Sequence, residues 1–141
     1  VQLPFLQFIW PQSVPPVVAI AMGDQTMNTA AALGKAIALA VTGKRALLIA
    51  STDLSHFHRQ EQAELLDKAC LGPLLAMDAP GLIRLVEARG ISMCGYGPVA
   101  AILTAAKALG LQEATLLCYT NSGQVTGDRS RVVGYASVLI R

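Results

Sequence analysis

Three short stretches carry side chains able to do chemistry. The first is Asp53-Leu54-Ser55-His56. A carboxylate and an imidazole three residues apart fall on one side if the segment turns helically. Together they can ligate one metal ion, or the carboxylate can orient the ring and set its tautomer. The same spacing also fits a helix-capping Asp beside a surface His, so spacing alone leaves both readings open. His58 follows two residues on, beyond the apolar Phe57, and is expected to be solvated rather than to ligate.

The second stretch is Cys94-Gly95-Tyr96-Gly97-Pro98. Its glycines let backbone approach a ligand closely, and the helix expected after it offers free N–H groups and a positive dipole end. A thiolate is favoured beside such a terminus. Cys94 can therefore serve as a nucleophile or a soft metal ligand, or it can be a structural thiol beside a turn. Cys70 and Cys118 sit in an expected amphipathic helix and an expected core strand, respectively, and are expected to be buried and inert. The third stretch is the polar loop Asn121–Arg131, which follows a strand and can rim the same crevice or simply close a hairpin. Asp24 reads as a helix cap.

The elements that must position these residues follow from hydrophobic patterning. Residues 1–10 fit a short amphipathic helix with Pro4 in its first turn. The apolar runs 17–22 and 46–50 read as buried strands. Residues 26–41 have the composition and length of a helix, and Gly43 marks its end. Residues 60–71 read as an amphipathic helix interrupted at Gly72-Pro73. Residues 79–88 form another helix with Pro80 in its first turn, and 99–109 a third, stopped by Gly110. Strands are expected at 114–119 and 132–140, able to pair as a hairpin. Asp53 and His56 then lie just past the end of a strand, where open α/β sheets collect ligands. The expected fold is α/β, a layered and largely parallel sheet with helices on both faces, in a single unit over residues 1–141.

Composition limits the function classes. The chain is 53% hydrophobic and 14% charged, enough apolar material for a core and far from a disordered composition. The net charge is +2, and no long Lys/Arg run offers a footprint for nucleic acid. No uninterrupted apolar run reaches the roughly 18–20 residues that span a bilayer. Three widely spaced cysteines form no disulfide framework, which points to a reducing, cytoplasmic setting.

The motifs occur together in an order that resembles the MEMO family. Val1-Gln2-Leu3-Pro4-Phe5-Leu6 resembles a segment near the middle of its members. Thr52-Asp53-Leu54-Ser55-His56-Phe57 is similar to its D-L-S-H motif, and Cys94-Gly95-Tyr96-Gly97-Pro98 to its C-G-x-G-P motif. Tyr119-Thr120-Asn121-Ser122-Gly123 and Val132-Val133-Gly134-Tyr135-Ala136 match its ending. The prokaryotic member called AmmeMemoRadiSam system protein B is the most similar in flavour. The resemblance implies a fold like the class III extradiol dioxygenases (LigB-like) and a pocket like their iron site. Asp53, His56 and Cys94 would be its metal-facing residues, with His56 and Cys94 as the catalytic pair. It also implies iron or copper, ahead of zinc, and a redox role. Further histidines of the family's pocket come from a first half of the domain. The resemblance therefore makes this chain the C-terminal half, holding a partial site, with the other half or a partner chain covering the exposed surface.

Three functions compete on these residues. One is a metal-dependent redox or dioxygenase-related enzyme. The second is a non-catalytic module that binds a peptide, protein or small molecule through a vestigial pocket. The third is a hydrolase using Cys94 as nucleophile and His56 as base, which needs the two within about 4 Å and donors for an oxyanion.

Overall fold

Helix starts follow their capping residues. In the computed structural model, which describes residues 1–141, α1 runs Gln2–Ile9, with Pro4 in the first turn as expected. Helix α2 (Met27–Val41) is capped by Thr26, whose hydroxyl accepts the Thr29 N–H. Asp24 reinforces that start by accepting from the Thr29 hydroxyl and from the Thr26 N–H. These bonds, Thr29 first and Thr26 next, hold the Asp24 carboxyl below the usual carboxylate range. The cap is thus Thr26 rather than the expected Asp24, which braces it from outside the helix.

Helix α3 (Gln60–Leu75) does not stop at Gly72-Pro73 but carries Pro73 inside it. An interior proline costs about 3 kcal/mol. Burial of Leu71 and Leu74 on either side, worth about 1.5–3 kcal/mol each, offsets that cost and overrides the local signal. Helix α4 (Ala79–Arg89) is capped by Asp78, which accepts the Gly81 N–H at 2.9 Å, and it ends at left-handed Gly90. Helix α5 (Tyr96–Ala108) begins three residues earlier than the expected Val99, because Gly97 and Pro98 are accommodated in its first turn.

The sheet has three strands, β1 (His56–His58), β2 (Ala114–Asn121) and β3 (Val132–Ile140), in the order β1-β3-β2 with both pairings antiparallel. The expected β2–β3 hairpin forms, and a short helix, α6 (Gly123–Thr126), lies in its connection. The α/β class is as expected, but the parallel part of the sheet is not. Residues 17–22 and 46–50, expected as buried strands, enter no ladder and make no backbone hydrogen bond. Val18 is 87% exposed and Leu47 71%. A parallel strand is buried only when neighbours bond both edges and helices cover both faces, and neither segment has a bonded neighbour. Cys118, expected buried, is exposed, as are its neighbours Leu116 and Leu117, because no element covers the middle of β2. Cys70 is fully buried, as expected.

One core ties the helices to the site. It joins α3, α4 and α5 through Leu74, Leu82, Val86 and Leu103, and includes Leu54, inside the first chemical motif, and Met93, just before the second. Helices α2 and α5 approach closely because Gly34 faces α5: a Cβ there would lie 2.5 Å from the Ala101 carbonyl oxygen. That contact seats α2 and hence the Asp24–Gln25 segment that precedes it.

Candidate metal centre

The two chemical motifs meet. One ligand atom each from Asp53, His56 and Cys94 lies within 4.8 Å of the others. Asp53 comes from the segment entering β1, His56 is the first residue of β1, and Cys94 comes from the turn entering α5. The His56 Nε2 lies 3.4 Å from an Asp53 carboxylate oxygen. Its Nδ1 lies within hydrogen-bond distance of the Ser92 carbonyl oxygen. A carbonyl only accepts, so Nδ1 carries the proton in the neutral ring and the Nε2 lone pair is left facing Asp53. That arrangement, a backbone carbonyl fixing the tautomer behind a ring nitrogen, is the usual support of a metal-ligating histidine. Ser92 adds a second hold, since its hydroxyl accepts the His56 N–H at 2.7 Å.

The thiol is seated from the same side. Its sulfur accepts the Asp53 N–H at 3.2 Å and lies 3.7 Å from the Thr52 hydroxyl oxygen. The Thr52 oxygen in turn accepts the Gly95 N–H at 2.8 Å. Gly95 is required there, because a Cβ would lie 2.7 Å from both the Ser51 carbonyl oxygen and the Thr52 Cβ. Gln25 clamps the turn further: its amide donates to the Cys94 carbonyl at 3.0 Å and accepts the Gly97 N–H at 2.9 Å. The sulfur makes no hydrogen bond with His56.

Beneath the cluster lies a buried acid that sequence reading does not single out. Asp67 of α3 is completely buried. One carboxylate oxygen accepts the Ser55 N–H at 2.8 Å, and the other accepts the Tyr119 hydroxyl at 2.8 Å. Burial, then the bond to Asp67, pushes the Tyr119 hydroxyl well above its ordinary range. The Leu54 N–H donates to the Gly134 carbonyl, and the Gly134 N–H to the Ser55 carbonyl, each at 2.9 Å. The Asp53–His56 turn is thus pinned to α3, β2 and β3 at once. Asp67 sits in an amphipathic helix four residues after the inward Ala63 and three before the inward Cys70. An acid on the inward face was the available signal.

The remaining candidates fall outside the cluster. His58 is half-buried in β1 and is not among the converging groups. The Asn121–Arg131 loop supplies no cluster residue and is held by its own bonds. The Asn121 side chain accepts the Gly123 N–H, and the Ser122 hydroxyl accepts the Val133 N–H. Its far end does reach the neighbourhood, since the Gln60 N–H donates to the Arg129 carbonyl.

An α/β protein in which an acid, an imidazole and a thiol converge beside a small antiparallel sheet is the class that this geometry defines. Comparison with known proteins narrows it: residues 1–139 match the model of the family described as Memo-like protein, and the chain belongs to that family. It is 43% identical over 142 residues to a MEMO1 family protein of Methanosarcina acetivorans, covering 99% of this chain and 53% of that protein. It is 44% identical over 138 residues to MEMO1 family protein MTH_45 of Methanothermobacter thermautotrophicus, covering 96% and 49%. A relative from Nitrosopumilus maritimus is 35% identical, covering 98% and 50%. The chain spans about half the length of the curated relatives it matches. No helix is long and apolar enough to cross a membrane.

Proposed function

We propose that this chain supplies three ligands, Asp53, His56 and Cys94, to the pocket of a metal-dependent redox protein. Its complete fold would be related to the class III extradiol dioxygenases. One observation carries the reading: three ligating atoms lie within 4.8 Å of one another, with the His56 lone pair turned among them by the Ser92 carbonyl. Imidazole and thiolate suit iron, copper and zinc, and the carboxylate adds a harder donor. Three protein ligands with open positions are what a catalytic metal site needs. The bound ion would supply Lewis acidity or electron transfer, and Ser92 and the Asp53 N–H would hold its ligands in place. Iron or copper suits the redox role better than zinc, which has no redox chemistry.

A half-domain reading accompanies it. Residues 46–50 border an apolar hollow of about 800 Å³, lined also by Val99, Ile102, Leu109 and Val138. We propose that polypeptide of the kind making up the other half of the relatives' length covers this hollow and bonds the open backbone of residues 17–22 and 46–50, since bare edges of this kind invite aggregation.

Metal analysis of the protein produced from its full reading frame tests the first reading. Stoichiometric iron or copper in the wild type, lost in His56→Ala, is the expected result; no uptake of iron, copper or zinc by the wild type sinks it. A second reading has one observation in its favour. The Cys94 thiol is exposed, and a thiolate beside redox iron invites oxidation, which suits a pocket kept for binding a peptide or protein. Partner capture that survives an Asp53→Ala/His56→Ala double substitution would favour it.

A further inference from the structure

Cys94 is held by two clamps, and each hangs from a stretch of chain that lacks a bonded neighbour. The first stretch is residues 46–50, whose backbone makes no hydrogen bond and whose Leu47 and Ile49 are exposed. It runs directly into Ser51-Thr52. There the Thr52 hydroxyl oxygen accepts the Gly95 N–H at 2.8 Å and lies 3.7 Å from the Cys94 sulfur. The two turns have no slack between them, since a Cβ on Gly95 would lie 2.7 Å from the Ser51 carbonyl oxygen. The second stretch is residues 17–22, equally free of backbone bonds, with Val17, Val18 and Ile20 exposed. It leads through Gly23-Asp24 to Gln25, whose amide donates to the Cys94 carbonyl and accepts the Gly97 N–H. Gly97 is matched to that clamp, because a Cβ there would lie 2.7 Å from the Gln25 Cβ.

A third uncovered element leans on the same turn. Helix α1 buries none of its residues, and its Gln2 amide donates to the Ser51 hydroxyl at 3.0 Å. His56 is supported differently. Ser92 holds both its N–H and its ring, and the buried Asp67 holds the Ser55 N–H beside it. The imidazole is thus fixed by the core of this chain. The thiol is fixed by side chains whose own segments have few buried contacts, and such segments open locally at low cost. A side chain carried on an opening segment shares its freedom, so the position of the sulfur depends on whether residues 46–50 and 17–22 are held.

We propose that Thr52 and Gln25 are positioning residues that make Cys94 the conditional ligand of the centre. Polypeptide bonded to residues 46–50 and 17–22 locks the sulfur in place, and an ion held by the sulfur tightens that cover in return. The return effect is obligatory, because an equilibrium coupling between two sites is reciprocal. The cover is that of the half-domain reading and the ion that of the metal reading; the clamps themselves need neither.

Amide hydrogen exchange of the protein from its full reading frame, followed by NMR with and without Zn²⁺, tests the coupling. In the wild type, Zn²⁺ should slow exchange in residues 17–22 and 46–50 about fivefold or more. Gln25→Ala should lose that effect at 17–22 and keep it at 46–50, and Thr52→Val should do the reverse. The Asp53 amide, which donates to the Cys94 sulfur, reads the clamps without any metal. Its exchange should quicken about threefold or more in Gln25→Ala and in Thr52→Val. Gln25→Glu, which keeps an acceptor for the Gly97 N–H but no donor for the Cys94 carbonyl, should fall between wild type and Gln25→Ala. The Leu103 amide, in the fully buried part of α5, should not change. Asp53 exchange that stays at the wild-type rate in both clamp variants would overturn the proposal. So would Leu103 exchange quickened as much as that of Asp53, since the variants would then loosen the whole fold. A Zn²⁺ effect that is the same in every variant would overturn it too. Unprotected amides at 17–22 and 46–50 in the wild type remove the half-domain reading and the coupling with it. Absence of Zn²⁺ uptake removes the metal reading, and the Asp53 amide then decides for or against the clamps alone.

Discussion

Removing the carboxylate of Asp67 strands two buried donors, the Ser55 N–H and the Tyr119 hydroxyl. Hydrogen bonds to a charged group contribute about 1.5–3 kcal/mol each, so the gross loss in Asp67→Ala is about 3–6 kcal/mol. Part returns, because burying an ionised carboxylate with no cation beside it is itself costly. A net destabilisation of about 2–4 kcal/mol is expected, a large share of the roughly 5–15 kcal/mol that holds a domain folded. Asp67→Asn keeps an acceptor for the Ser55 N–H, and its amide can donate to the Tyr119 oxygen, so its cost should be about 1 kcal/mol. Urea unfolding followed by far-UV circular dichroism measures both, read as a fall in midpoint at constant slope. Asp67→Ala should also weaken metal uptake more than Asp67→Asn does, because the Ser55 backbone that carries His56 is released. An alanine variant within about 0.5 kcal/mol of the wild type would refute the claim that this acid pins the site.

Four further outcomes follow from the packing. Gly134 lies against the Asp67 carboxylate, where a Cβ would overlap it; Gly134→Ala should cost about 1–3 kcal/mol and be strongly non-additive with Asp67→Ala in a double-mutant cycle. Gly34→Ala should destabilise by a similar amount, about 1–3 kcal/mol, by forcing α2 off the Ala101 carbonyl, and calorimetry reads the lowered Tm. Iodoacetamide should modify Cys94 and Cys118, which are exposed, and spare Cys70 in intact-mass spectra. Burial, aided by the charge of Asp67, raises the Cys70 thiol to about 11 from 9.0. A folded value above the unfolded one stabilises the protonated form, so this contribution is complete below pH 9.0 and is lost as pH rises towards about 11. Stability measured across that range should fall, and should fall less in Cys70→Ala.

What the sequence determined by itself is local. Thr26, Asp78 and Gly90 place helix boundaries through hydrogen bonds and φ values that span only a few residues. The β2–β3 hairpin is legible because an apolar, polar, apolar pattern crosses a turn rich in Asn, Ser and Gly. The D-L-S-H and C-G-Y-G-P motifs were visible as chemistry in waiting, since residue type alone says what an atom can ligate.

Tertiary structure decided whether that chemistry converges. Asp53 and Cys94 are 41 residues apart, and nothing in either motif fixes the distance between them. Packing of Leu54 and Met93 into one core does. Pro73 stays inside α3 because its neighbours are buried, which propensity cannot foresee. The runs at 17–22 and 46–50 show the converse limit. Their composition says they prefer burial in a sheet, but a strand exists only when another backbone bonds to it, and that depends on what lies alongside in space.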